Sequence, residues 1–370
     1  MTVPAARADA PSPAPFAQVE VRDLTVCFRN AQDELLPAVS HANLTLAPGR
    51  ITGLVGESGS GKSTLALSLL GAVPPPGRIT SGGVEIDGVG EVTKLPRAKL
   101  RELRGGQVGY VFQASQNSLN PLKTVGKQLL DLGRAHDVDD LRALIRRARE
   151  LCGLMGMDGA RVLDSYQHEL SGGMRQRVGI VFALVLNARV LVLDEPTTAL
   201  DMLSQAAVLR IIAQVHREIG LTTLIVTHDM GVVSELADRL AVMYGGRIVE
   251  VGPAERLLAE PTHPYTKALI NATTRVSGDV GRAKALSGRP PDLASIPRQG
   301  CVFRDRCAFA MEVCSTVEPL LEDAGDGRRR ACHAEARTVT AAAASTGSGA
   351  SAGDGAGSGN GAGAGAVARA

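Results

Sequence analysis

The chain has 370 residues, 44% of them hydrophobic and 3% aromatic, with a net charge of +2. That length holds one large domain with an appendage, or two domains, and the near-neutral charge argues against a nucleic-acid-binding field. The run Arg328–Arg330 is local and reads as solvated surface.

The N-terminus, through about Ala17, is rich in Ala and Pro and has no apolar h-region. Residues 1–17 read as a disordered segment, not a secretory or transit signal. From about Gln18 to Pro261 short apolar runs alternate with helical patterns, which points to an α/β fold with a mainly parallel sheet. Ile51, Leu54 and Val55 form the first clear buried strand. It runs into Gly56, Glu57, Ser58, Gly59, Ser60, Gly61, Lys62, Ser63 and Thr64, and Leu65, Leu67, Leu69 and Leu70 continue as a helix. Strand, glycine loop and helix start is the context a phosphate-binding loop needs, and a chance glycine-rich turn lacks it. The glycines let backbone N–H groups converge on phosphate oxygens, and the helix start adds partial positive charge. Lys62 is placed to reach the β- and γ-phosphates of a nucleotide, and Ser63 to ligate Mg²⁺.

Val108–Phe112 is the next buried strand, followed by Gln113. Residues 114–169 are largely helical by pattern, as in Leu141–Leu151. Leu170 leads into Ser171, Gly172, Gly173, Met174, Arg175, Gln176 and Arg177, a second anion-binding helix start. The most apolar stretch, Val178 to Leu193, is broken by Asn187 and Arg189 and is too short to span a bilayer. It ends in the strand Val190–Asp194. Asp194 is placed to hold Mg²⁺, and Glu195 to act as general base on an attacking water. Asp201 reads as the N-cap of a helix over Met202–Ile219. Thr223–Thr227 is a further strand, followed by His228. Gly245 and Gly246 sit between two apolar runs and predict a hairpin within Ala241–Val251.

From Thr262 the character changes to a loop-rich, Pro- and Arg-containing segment, and after about Thr338 a low-complexity tail remains, expected to be disordered. Cys27 and Cys152 read as plain buried thiols. Cys301, Cys307, Cys314 and Cys332 are separated by five, six and seventeen residues. With no Cys-x-x-Cys pair a zinc ribbon is disfavoured, and the common ferredoxin spacings are not met either. Spacing alone leaves zinc, an iron–sulfur cluster or free thiols open.

The ordered motifs from Val19 to Leu269 resemble the ATP-binding-cassette family. The resemblance implies a RecA-like parallel-sheet core with an antiparallel β subdomain, spanning 18–261, and a helical subdomain over 114–169. It implies that Gly56–Thr64 bind ATP and that Phe28 stacks on adenine. Gln113 corresponds to the glutamine that senses Mg²⁺ and water, and His228 to the histidine on the γ-phosphate. Ser171, Gly172, Gly173 and Asp201 correspond to residues that meet ATP held by a second subunit. Ser118–Pro121, Thr262–Leu269 and the four later cysteines resemble, more narrowly, the ATP-binding subunits of oligopeptide and dipeptide importers, a branch that includes nickel importers. That implies a small Cys-rich C-terminal domain over 262–337 carrying a [4Fe–4S] cluster. It also implies a second ATPase subunit, identical or homologous, two membrane-spanning permease subunits, and an extracytoplasmic peptide-binding protein. No nucleic-acid partner is implied, and the expected location is the cytoplasmic face of the membrane. Two stretches depart from the branch: Gln113-Ala-Ser-Gln-Asn stands for the usual Gln-Asp-Pro, and Asp201-Met-Leu-Ser for Asp-Val-Thr. The competing classes are a soluble cassette ATPase of DNA repair or translation and an exporter ATPase. The first usually carries paired cassettes, long insertions or a basic arm, and none is seen here.

Overall fold

The computed structural model of the chain describes residues 16–115, 118–198, 200–272, 286 and 288–344. Residues 1–15, most of the expected N-terminal segment, and the tail from 345 lie outside the described residues. The chain opens with antiparallel strands β1 (Val19–Arg29) and β2 (Leu35–Leu46), then β3 (Ile51–Val55) and α1 (Lys62–Ser68). Next come β4 (Arg78–Ile86), β5 (Gly90–Glu91), α2 (Arg97–Gly106) and β6 (Val108–Val111). Four helices follow: α3 (Val125–Ala135), α4 (Leu141–Leu154), α5 (Gly159–Asp164) and α6 (Gly172–Leu184). Then β7 (Val190–Asp194), α7 (Met202–Ile219), β8 (Thr222–Thr227), α8 (Met230–Leu236), β9 (Arg239–Tyr244) and β10 (Arg247–Pro253) alternate. The last elements are α9 (Ala254–Ala259), α10 (Pro264–Ala272), β11 (Glu322–Gly325), β12 (Arg328–Arg330) and α11 (Ala336–Ala344).

Two sheets organise the described residues. One is antiparallel, ordered β2-β1-β4-β5; the other runs β11-β12-β10-β9-β3-β8-β7-β6. Its centre, β9 through β6, is parallel. These strands alternate side chains between separate cores, as a period of two requires. Val190 and Val192 of β7 pack with the antiparallel sheet, while Leu191 and Leu193 pack with α3–α6. Both neighbours of β7 run parallel to it, so every residue of the strand is buried, which explains an unbroken apolar run. Asp140 and Asp158 cap α4 and α5 by accepting N–H bonds at 2.8 and 3.0 Å, which starts these helices where the chain turns.

Four expectations need correcting. The C-terminal segment is not a separate small domain: β11 and β12 extend the large sheet, and Cys301, Val302, Phe303 and Cys314 share a core with Val55, Val242 and Tyr244. Arg328–Arg330 forms β12 and is solvated only in part, with Arg329 exposed. Arg328 is buried, and its guanidinium donates to the Glu260 carbonyl at 2.9 Å. The tail begins later than residue 338, because α11 runs to Ala344, favoured by its alanines and by fully buried Val339. At the other end Ala17 is already fully buried.

Candidate active site

Backbone space dictates the loop between β3 and α1. Gly56 and Gly61 have φ of +156° and +98°. A Cβ on Gly56 would lie 2.1 Å from the Met243 carbonyl oxygen, and one on Gly61 2.2 Å from that of Ala38. Glycine alone fits both places. Lys62 is buried, and its Nζ donates to the Gly56 and Glu57 carbonyls, both at 2.8 Å. Burial pulls its pKa below the ordinary lysine value, opposed by the charges of Glu195, Asp194 and Glu57.

The neighbour order β3-β8-β7-β6 places the C-terminal ends of four strands in a row, the place where open α/β sheets bind ligands. Each end contributes chemistry. Asp194 ends β7 and is buried; burial raises its pKa, against two hydrogen bonds. Ser63 Oγ donates to its Oδ1 at 3.2 Å, and the Tyr110 hydroxyl, from β6, to its Oδ2 at 3.0 Å. Glu195 follows in a left-handed conformation, φ +50°, which costs about 1–3 kcal/mol and marks functional turns. Its N–H donates to the Val226 carbonyl at 2.8 Å. Its carboxylate accepts from Gln113 Nε2 at 2.7 Å and Thr198 Oγ1 at 3.0 Å, and His228 Nδ1 stands 3.2 Å away. Ala114, next to Gln113, is also left-handed, φ +54°.

The structure therefore gathers Lys62, Ser63, Gln113, Asp194, Glu195 and His228. It does not gather the rest. Ser171 caps α6, its Oγ accepting from the Met174 N–H at 3.3 Å. Asp201 caps α7, its Oδ1 accepting from the Ser204 N–H at 2.9 Å. Among the described residues neither cap is hydrogen-bonded to the phosphate loop. Phe28 is half-buried on β1, its ring against Gly77. Sequence reading missed Tyr110 and the Thr198 hydroxyl as carboxylate partners. A lone phenol in an otherwise apolar strand was the available signal for Tyr110.

It also missed how the C-terminal segment meets the loop. Fully buried Glu250 accepts from the Thr262 N–H and hydroxyl at 2.8 and 2.6 Å and from the His263 N–H at 3.2 Å. Burial pushes His263 down to about 3, leaving a neutral ring whose Nδ1 accepts from the Tyr265 N–H at 3.0 Å. The Tyr265 hydroxyl accepts in turn from the Glu57 N–H at 2.9 Å. Arg306 grips the Glu57 carboxylate at 2.6 and 3.0 Å.

The four cysteines do not stand as an assembled metal centre. Among the described residues no group of three or more His, Cys, Asp or Glu side chains is placed to hold an ion. Cys301 and Cys314 lie side by side, the Cys301 N–H donating to the Cys314 carbonyl at 2.8 Å. Burial pushes Cys307 up to about 11, against the Phe309 N–H on its sulfur, and Cys332, Cys301 and Cys314 each push it the same way. His333 Nε2 engages the Val317 carbonyl at 2.9 Å. For Mg²⁺ the donors fit: Ser63 Oγ and the buried Asp194 carboxylate are adjacent hard oxygens. Cys27 and Cys152 are buried thiols, as expected.

A family model described as ABC transporter matches residues 39–198, and one described as the C-terminal region of oligopeptide/dipeptide transporters matches 249–314. The oligopeptide transport ATP-binding protein OppD of Salmonella typhimurium is 39% identical over 87% of this chain and 95% of its own length. The dipeptide transport ATP-binding protein DppD of Caldanaerobacter subterraneus is 38% identical over 85% and 96%. Among solved structures, the ATP-binding cassette MJ0796, dimeric in a post-hydrolysis state with ADP and Pi, superposes with a TM-score of 0.54 at 27% identity. The match covers 64% of this chain and 98% of that one. CbiO1 of Clostridium perfringens, part of the cbiONQ transporter complex, superposes with a TM-score of 0.55 at 28% identity, over 65% and 90%.

Proposed function

The chain belongs to the ATP-binding subunits of ABC-type oligopeptide and dipeptide importers, and on that premise we propose that it hydrolyses ATP to drive uptake of such peptides through partner permeases. The observation that carries this is the Glu195 carboxylate, held by Gln113, Thr198 and His228 beside Asp194, Ser63 and the phosphate loop. Glu195 takes a proton from water as the water oxygen bonds to the γ-phosphorus; the bond to ADP breaks and phosphate leaves. Three groups on one carboxylate fix its orientation before reaction. Mg²⁺, held by Ser63 and Asp194 with Gln113 nearby, would supply charge neutralisation at the phosphates.

The start of α6 completes the site of a second cassette, identical or homologous, while that subunit's helix start completes the site here. Two features support this: among the described residues Ser171 caps its own helix and makes no hydrogen bond to the phosphate loop, and the similar cassette MJ0796 is dimeric with its hydrolysis products. ATP then joins two subunits and hydrolysis releases them, a switch driven by differential contacts. Among the described residues no helix is long and apolar enough to cross a membrane. The subunit sits on permeases at the cytoplasmic face, with an extracytoplasmic binding protein supplying peptide. On the same reading, by resemblance to that branch, the four cysteines are the ligands of a [4Fe–4S] cluster, whose binding has to draw them together, since among the described residues no three are placed to hold an ion.

Vesicles carrying the reconstituted importer should take up labelled peptide only with hydrolysable ATP. Uptake of nickel but not peptide would redirect the substrate assignment. Anaerobically purified protein should be brown, with about four irons per chain; zinc without iron would remove the cluster.

A further inference from the structure

Glu57 lies inside the phosphate loop, where a carboxylate is an unfavourable neighbour for an incoming polyphosphate. Its charge is felt at Lys62, whose Nζ donates to the Glu57 carbonyl. Both ends of the residue are held from the C-terminal segment. The Tyr265 hydroxyl takes its N–H at 2.9 Å. The Arg306 guanidinium forks onto its two oxygens at 2.6 and 3.0 Å, and is itself seated at 3.3 Å from the Tyr244 hydroxyl with its carbon 5.7 Å from that ring. The Arg306 side chain is 7% exposed and that of Glu57 21%, so little solvent screens the pair. Tyr244, Tyr265 and Phe303 pack ring on ring beneath it. Pro290 and Pro291 face Glu57–Ser60 across a small cleft.

We propose that Arg306 and Tyr265 are positioning residues for ATP: from the C-terminal segment they clamp Glu57, neutralise its carboxylate and hold the phosphate loop open to the nucleotide. The inference rests on the ATP-binding reading of Gly56–Thr64. Arg306 directly precedes Cys307, so the segment that carries the thiols also sets the affinity of the phosphate loop. Neither residue touches the reacting atoms; both act through Glu57.

The test uses the full chain, with ATP hydrolysis and binding of a fluorescent ATP analogue measured together. Arg306→Ala leaves an unpaired carboxylate beside the phosphates. It should raise KM for ATP and weaken analogue binding about tenfold, with kcat changed less than about twofold. The defect should shrink at about 0.5 M salt. Glu57→Gln added to Arg306→Ala removes the offending charge and should restore most of the affinity, which a merely structural role for Arg306 does not predict. If Arg306→Ala loses its cooperative thermal transition, Arg306→Lys carries the test, with KM raised roughly threefold because the fork is lost. Unchanged affinity in the Arg306 variant, or a double variant no better than the single, overturns the clamp while nucleotide binding by the parent keeps the cassette reading. A parent that binds no nucleotide overturns both.

Discussion

The helix starts at Lys62 and at Gly172 are both built to meet phosphate, yet their surroundings differ. The first is ringed by Lys62, Ser63, Asp194 and Glu195, all within its own chain. The second has its serine cap and its glycines and, among the described residues, no hydrogen bond to that cluster. On the proposed reading one is a nearly complete half-site and the other the complement for a second subunit. The difference teaches that two helix starts of similar chemistry can sit in unlike surroundings, one among charged partners and one with its cap alone.

The largest effects should come from the first region. Glu195→Gln should lower steady-state hydrolysis at least about 100-fold while ATP binding persists, and undiminished turnover would remove Glu195 as base. Lys62→Ala should instead lose binding as well, as a direct titration with nucleotide would show. The second region separates the two behaviours further. Ser171→Arg should abolish most hydrolysis in the assembled pair yet leave nucleotide binding by the isolated chain unchanged. Weakened binding to the isolated chain would mean that the two helix starts serve one nucleotide within one subunit. A smaller effect belongs to the support of Asp194. Tyr110→Phe deletes one hydrogen bond to a buried carboxylate and should cost about fivefold in kcat, with the Mg²⁺ dependence of the rate as the readout.

The smallest effect lies at His263, outside the charged cluster. The folded chain holds this ring at about 3, and the unfolded chain protonates it below its ordinary 6.5. Its contribution to stability is therefore present above pH 6.5 and is lost as pH falls towards about 3. Between pH 7 and pH 5 the unfolding midpoint should drop by roughly 2–4 °C, and His263→Gln should flatten that slope. An unchanged slope in the variant would show that another group governs the acid limb.

Much of this was legible in order along the chain. β3, β7 and α7 fall where apolar periodicity places them, with β7 and α7 matching residue for residue, because parallel strands buried on both faces and an amphipathic helix leave local marks. Asp201 caps α7 for the same local reason. Lys62, Asp194 and Glu195 were found because their chemistry is tied to neighbours a few residues away. What the sequence could not reveal depends on distance across the fold. Gln113, Thr198 and His228 converge on Glu195 only because β6, β7 and β8 lie side by side. Arg306 and Glu57, 249 residues apart, meet only because β9 and β10 carry the C-terminal segment back beside β3. Arg328 looked like solvated charge until β12 joined the sheet and buried it. Period and local hydrogen bonding are written into the chain, but strand order is settled by which apolar faces pack together. That choice alone decided which charges became partners.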